Sequence, residues 1–324
     1  MADPDHEGEA GAKGRAGVEA EQASDVPGAP SAPVTPVLDP TLPHQSPLFH
    51  AEQAERYDRQ RLISQYQEAF NCRLVVVVDA IFAYSITLFE ELIYNADPSQ
   101  DLHLLLNTPG GDGETAVRLA RAAQSRCREF TVIVPDLAKS AGTILALGAH
   151  RILLGPVSDL GPIDPQFQLP TTGELVGAKD IIAAVDDASE KIQQAPDTYP
   201  LYASLLSDVT ALMVQQARAA LARTGDLLIE ALRSNPDRSP EQVERLRRML
   251  EEPLIKQAKS HGAIFGYDEA EKTGLPVVAV DPSTLQWQII WRLWAKYFAR
   301  ANRFYEGERA SQEMPWPQEP PPSD

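Results

Sequence analysis

Apolar and polar residues alternate along the middle of the chain with two periods, one of a strand and one of a helix. Residues 51–70 carry Tyr57, Leu62, Ile63, Tyr66 and Phe70 at helical spacing. Arg73–Asp79 (RLVVVVD) is a short β-branched run, the pattern of a strand buried on both faces. An apolar helix is predicted over 85–95, a second strand over 101–107 (DLHLLLN), and a helix over 113–128. A third strand follows at 129–135 (EFTVIVP), then a small-residue helix at 140–148 and a fourth strand at 151–154. This alternation at crossover length predicts an α/β protein with a parallel sheet and helices on both faces. From Lys179 to Lys259 the pattern is almost wholly helical and punctuated by prolines. A short helix at 267–273, stopped by Gly274, then leads to a strand over 275–280.

The flanks read differently. The first 47 residues hold eight prolines and no aromatic side chain, too little apolar surface to offset ordering entropy. We therefore expect a disordered tail over 1–50, a main domain over 51–282 (mostly helical over 180–260), and a second Pro-rich disordered tail over 309–324. Between them, 283–308 is expected to form one aromatic amphipathic helix carrying Trp287, Trp291, Trp294, Tyr297, Phe298, Phe304 and Tyr305. Docking on the protein's own core is favoured for it over a separate partner or peripheral membrane contact.

A net charge of −17 argues against a nucleic-acid binder, which must neutralise phosphates. The two cysteines, Cys72 and Cys127, are too few and too far apart for a zinc ribbon or a disulfide framework. No cofactor is expected. The N-terminus has no secretory-signal pattern and no run approaches a spanning helix, so a cytoplasmic location is expected.

Two loops, each directly after a predicted strand, carry the candidate chemistry. Ligands in open α/β sheets bind at the carboxyl ends of strands. Asn107-Thr108-Pro109-Gly110-Gly111-Asp112-Gly113 opens a helix, and its glycines let backbone N–H groups face an anion. The plainer reading is a tight strand-to-helix turn. Asp112 would oppose a developing anion if its carboxylate faced the site. The second loop, Asp136-Leu137-Ala138-Lys139-Ser140-Ala141-Gly142-Thr143, places a serine where strand gives way to helix. Ser140 there is either an N-cap or an exposed nucleophile whose following N–H helps bind an oxyanion. Together the loops supply a minimal acyl-transfer site.

The stretches NTPGGDGETAVRLARA and TVIVPDLAKSAGTILALGAHRILLGPVSDLGPIDPQ, with the later SHGAIFGYDEAEKTGLPV, resemble the serine dehydrogenase proteinase family, SppA-like members of the ClpP/crotonase superfamily. The likeness covers roughly 56–280 and is strongest over 102–167. It implies a ClpP/crotonase-like spiral of βαβ units with a helical C-terminal part. The activity it implies is that of a serine peptidase with a Ser-Lys dyad. On this resemblance Ser140 is the nucleophile, and Gly110, Gly111 and Ala141 supply oxyanion donors. Lys179, 39 residues after the serine, stands where the base belongs. Lys139 and Lys191 are weaker candidates, and His150 and His261 are badly spaced for a triad. Leu160, Gly161 and Pro162 are expected to offer an extended edge to a substrate strand. The expected partners are a peptide or protein substrate and further copies of the chain. Two other functions stay open: a catalytically silent peptide-binding scaffold and a crotonase-type acyl-CoA enzyme. A β-carbon at Gly111 is expected to cost more activity than stability.

Overall fold

The computed structural model describes residues 46–256 and 263–317. Most of the expected N-terminal tail, residues 318–324 and His261 lie outside the described residues. In chain order the elements are α1 (Pro47–Phe70), β1 (Cys72–Val78), α2 (Ala83–Ile93), β2 (Asp101–Asn107), α3 (Gly113–Gln124), β3 (Phe130–Val134), β4 (Leu137–Ala138), α4 (Ala141–Leu147), β5 (Arg151–Leu154) and β6 (Asp159–Leu160). There follow β7 (Gln166–Gln168), β8 (Leu175–Gly177), α5 (Ala178–Gln194), α6 (Tyr199–Leu205), α7 (Ala211–Ser234), α8 (Pro240–Glu251) with a π turn over Glu252–Lys256, α9 (Tyr267–Lys272), β9 (Val277–Ala279), α10 (Leu285–Arg300), β10 (Arg303–Glu306) and β11 (Ser311–Met314).

The main sheet has the order β11-β10-β1-β2-β3-β5-β9. β1, β2, β3, β5 and β9 run parallel, and β10 and β11 join one edge antiparallel. The strand periodicity sorts the core into two layers. Val75, Val77, Leu104, Leu106, Val132 and Val134 face α2, α3, α4 and α7. Leu74, Val76, Val78, Leu105, Ile133 and Leu153 face α1 and α10. Both faces are covered, which is why the central strands read as unbroken apolar runs. The hairpin β7–β8 and the helices α5 and α7 share a small satellite core of Ala178, Ile181, Val214 and Ala217.

The parallel strands and their helices lie where the periodicity puts them. The C-terminal region does not. The helix expected over 283–308 ends at Arg300, where Ala301 turns left-handed at φ +50°. Phe304 and Tyr305 then point to opposite faces of the sheet, into the two separate core layers. Only a strand presents consecutive residues that way. Residues 311–314, expected within a disordered tail, form the edge strand paired with β10. The apolar face of α10 is spent inside the protein: Trp287, Ile290, Leu293, Trp294 and Tyr297 are buried on the sheet. That is the docking expected, while Trp291 and Phe298 of the same helix stay exposed. Among the described residues no helix is long and apolar enough to cross a membrane.

Two buried polar clusters tie α1 and α10 to the sheet. Arg59 Nε donates to Glu306 Oε2 at 2.7 Å, Tyr297 OH donates to the same oxygen at 2.7 Å, and the guanidinium stands over the Phe304 ring at 4.8 Å. Nearby, Gln286 donates to Tyr66 OH, which lies 2.8 Å from His103 Nδ1. Burial holds the His103 pKa down at about 4.

Candidate active site

The three central strands continue past their ends as a backbone lattice, and this lattice builds the site. On one side, Ile81 N–H donates to Gly110 O (2.8 Å) and Asp112 N–H donates to Ile81 O (2.7 Å). On the other, Thr108 N–H donates to Leu137 O and Lys139 N–H to Thr108 O, both at 3.0 Å. Asn107 Oδ1 adds a bond from Leu137 N–H at 3.1 Å. The glycine loop is thus held between the segments after β1 and β3.

Ser140 sits at the start of α4 with φ +49° and ψ −109°. A non-glycine residue in this region is strained by about 1–3 kcal/mol and persists only where its surroundings hold it. Its side chain makes no cap hydrogen bond, so Ser140 does not act as a side-chain N-cap of α4. Gly110, at φ +118°, lies directly against it: a β-carbon there would stand 2.9 Å from Ser140 Cβ and 3.1 Å from Lys139 O.

The two glycines differ in what their N–H groups do. Gly110 N–H donates to Thr108 Oγ1 at 3.1 Å, so Gly110 contributes space rather than the expected donor. The bridge between Ile81 and Gly111 uses the groups of residues 110 and 112, which leaves the Gly111 N–H pointing away from Ile81. Neither it nor the Ala141 N–H at the first turn of α4 has an acceptor among the described residues. Two N–H donors flanking a strained serine can stabilise an oxyanion. Asp112 does not oppose this, because its carboxylate accepts the Thr115 N–H at 2.7 Å and caps α3.

Lys139 is paired with Asp159, and its Nζ also lies 3.3 Å from Ala263 O. Asp159 Oδ1 accepts the Phe265 N–H at 2.8 Å. Burial and the Asp159 charge push the carboxyl of neighbouring Asp136 up. Lys179, near the start of α5, is half-buried and lines a cavity of about 480 Å3 with Leu221, Ala222, Gly225, Glu251, Ile255 and Lys256. The described walls of that cavity do not include Ser140. Lys191 is exposed in the last turn of α5. His150 Nδ1 accepts the Phe130 N–H at 2.9 Å, at the sheet end opposite Ser140, so it is no base for that serine.

The extended edge expected at Leu160, Gly161 and Pro162 is already occupied. Leu160 exchanges both backbone bonds with Phe265 at 3.1 Å. Gly161 N–H donates to Thr143 Oγ1 at 3.0 Å, Gly161 O lies 2.8 Å from the same hydroxyl, and all three residues are buried. The backbone groups of Leu160 and Gly161 are thus already paired and not open to a substrate strand. Reading the sequence missed Ile81, Asn107, Thr108 and Thr143 as the residues that lock the loops. The polar Asn-Thr pair ending an apolar strand was the available signal.

A family model described as ClpP-like SDH-type serine proteinase matches residues 91–233. Two uncharacterized proteins of Methanocaldococcus jannaschii are similar, one 39% identical over 72 residues (22% of this chain, 25% of that protein). The other is 28% identical over 133 residues (41% of this chain, 38% of that protein). The chain thus matches well under half the length of these curated relatives. Among solved structures, a mutant of a membrane-bound stomatin-specific protease overlays with a TM-score of 0.29 at 23% identity, over 34% of this chain and 58% of that one. The ClpP protease catalytic domain from Plasmodium falciparum overlays with a TM-score of 0.36 at 8% identity, over 69% and 91%. The weight rests on the sequence match, which spans Gly110, Gly111, Ser140 and Lys179. Over residues 91–233 the chain is similar to the ClpP-like SDH-type serine proteinase family.

Proposed function

We propose that the protein is a serine peptidase that hydrolyses peptide bonds through an acyl-enzyme on Ser140. The observation that carries this reading is the strained serine packed against Gly110, with the Gly111 and Ala141 N–H groups beside it. In the reaction, Ser140 Oγ attacks the scissile carbonyl carbon and gives its proton to a base. The two N–H groups hold the oxyanion. Collapse expels the amine, which takes the proton back from the base, and water then frees the acyl group by the same steps in reverse order.

Lys179 is our candidate for the base. Its support is its place in the family-matched region and its half-buried position, with Lys139 committed to Asp159 and His150 bonded to the Phe130 backbone. We further expect peptide or protein substrates and assembly with other copies of the chain. The test is hydrolysis of fluorescein-labelled casein. The wild type should release label and Ser140→Ala should release none; equal release by both would remove Ser140 from the mechanism.

A further inference from the structure

On the β1 side the Gly111 donor is aimed by the segment Asp79–Phe82, and that segment is itself held from outside the family-matched region. Ile81 makes the two backbone bonds that flank Gly111, to Gly110 O and from Asp112 N–H, and Asp79 N–H adds one to Asn107 O at 3.2 Å. Asp79 is completely buried. Its Oδ1 accepts the Ala80 N–H at 2.8 Å and its Oδ2 accepts the Tyr84 hydroxyl at 3.0 Å. A buried carboxylate needs a positive partner or it destabilises the site. Arg303, from β10, is that partner. Its Nη1 lies 3.7 Å from Asp79 Oδ1 and donates to Tyr84 OH at 3.1 Å, with the guanidinium 5.8 Å above the Tyr84 ring.

The other end of the segment is pinned from the same strand. Tyr305 OH donates to Ser85 Oγ at 2.7 Å, and that hydroxyl accepts the Phe82 N–H at 3.0 Å. Ala80 and Ile81 are therefore clamped between two side-chain anchors, both reaching in from β10.

We propose that Arg303 is a positioning residue for the Gly111 oxyanion donor, acting through Asp79 and the Ile81 backbone. The catalytic part of this rests on the peptidase reading of Ser140. Without Arg303, Asp79 is left buried with the Tyr84 hydroxyl and one amide, and the Ile81 segment can shift. A misplaced donor weakens the transition state rather than the bound substrate.

The experiment compares wild type with Arg303→Met, Arg303→Lys and Tyr84→Phe. Tyr84→Phe removes only a hydroxyl on a partly exposed ring and guards against a Met variant that fails to fold. Amide hydrogen exchange over 79–82 and 110–113 is read beside casein hydrolysis. In Arg303→Met and Tyr84→Phe, exchange at Ile81 and Asp112 should speed up and kcat should fall, by up to about 10²-fold for Met, with KM little changed. Arg303→Lys should recover part of both. Unchanged exchange overturns the proposal whatever the activity, and so does faster exchange with unchanged kcat. A wild type inactive on casein would instead sink the peptidase reading, and the exchange arm would still decide whether Arg303 holds the loop.

Discussion

The two halves of the proposed dyad sit in unlike surroundings. Ser140 stands on the main sheet, between loops tied by four backbone bonds and one to the Asn107 side chain, and backed by the large core layer that holds Ala138, Ala141 and Ile144. Lys179 stands on α5, whose neighbour Ala178 packs into the four-residue satellite core and whose side chain borders an open cavity. The proposed nucleophile and oxyanion donors lie between segments cross-linked by hydrogen bonds. The proposed base is carried by an element that packs on the smaller core. Precision in this site is therefore bought where strands end, and adjustability is left where helices pack.

The sharpest way to break this comparison is Gly111→Val. A β-carbon at Gly111 would lie 2.1 Å from Ile81 O, and φ +137° is strained for any side chain. The substitution should abolish activity and also lower the melting temperature markedly, where the sequence suggests a cost to activity more than to stability. A variant with wild-type melting would show that the lattice has slack. Lys179→Met should lower kcat by about 10²–10⁴-fold, the usual range for a positioned base, while Lys191→Met stays active. If Lys179→Met keeps full activity and Lys139→Met is dead, the base has been misassigned.

Smaller effects probe the supports. Arg59→Met leaves Glu306 buried without its cation and should cost about 3–5 kcal/mol in denaturant unfolding, as breaking one side of a buried pair does. A loss below about 1 kcal/mol would mean that solvent reaches Glu306. The pH dependence of stability should be gentler. His103 is held neutral, with a pKa of about 4 against an unfolded value near 6.5. The unfolded chain then binds the proton first as pH falls. His103 thus contributes full stability above about pH 6.5 and loses it progressively between about 6.5 and 4. A urea midpoint series over that window should flatten in His103→Gln if this histidine is responsible.

The same contrast explains what was legible in the sequence. β1, β2, β3 and β5 are β-branched or leucine runs buried on both faces, so composition alone marks them. Gly110, Gly111 and Ser140 follow two of those strands directly, and their residue types betray the turn. Phe304 and Tyr305 misled because adjacent aromatics fit either period, and only the left-handed Ala301 decides for a strand. Leu160–Pro162 misled because an extended GP-rich stretch looks the same whether its edge is free or, as here, paired with Phe265 and Thr143. Long-range pairing of that kind leaves no local mark. Arg303 and Asp79, more than 200 residues apart, could not be joined without the sheet order.

The most direct test of the central claim is to treat the folded wild-type protein with a fluorophosphonate and map the adduct by mass spectrometry. The account predicts a single stoichiometric adduct on Ser140, slowed in Lys179→Met and absent in Ser140→Ala. An unmodified Ser140 in protein that hydrolyses casein, or an adduct on another serine that tracks activity, would contradict it.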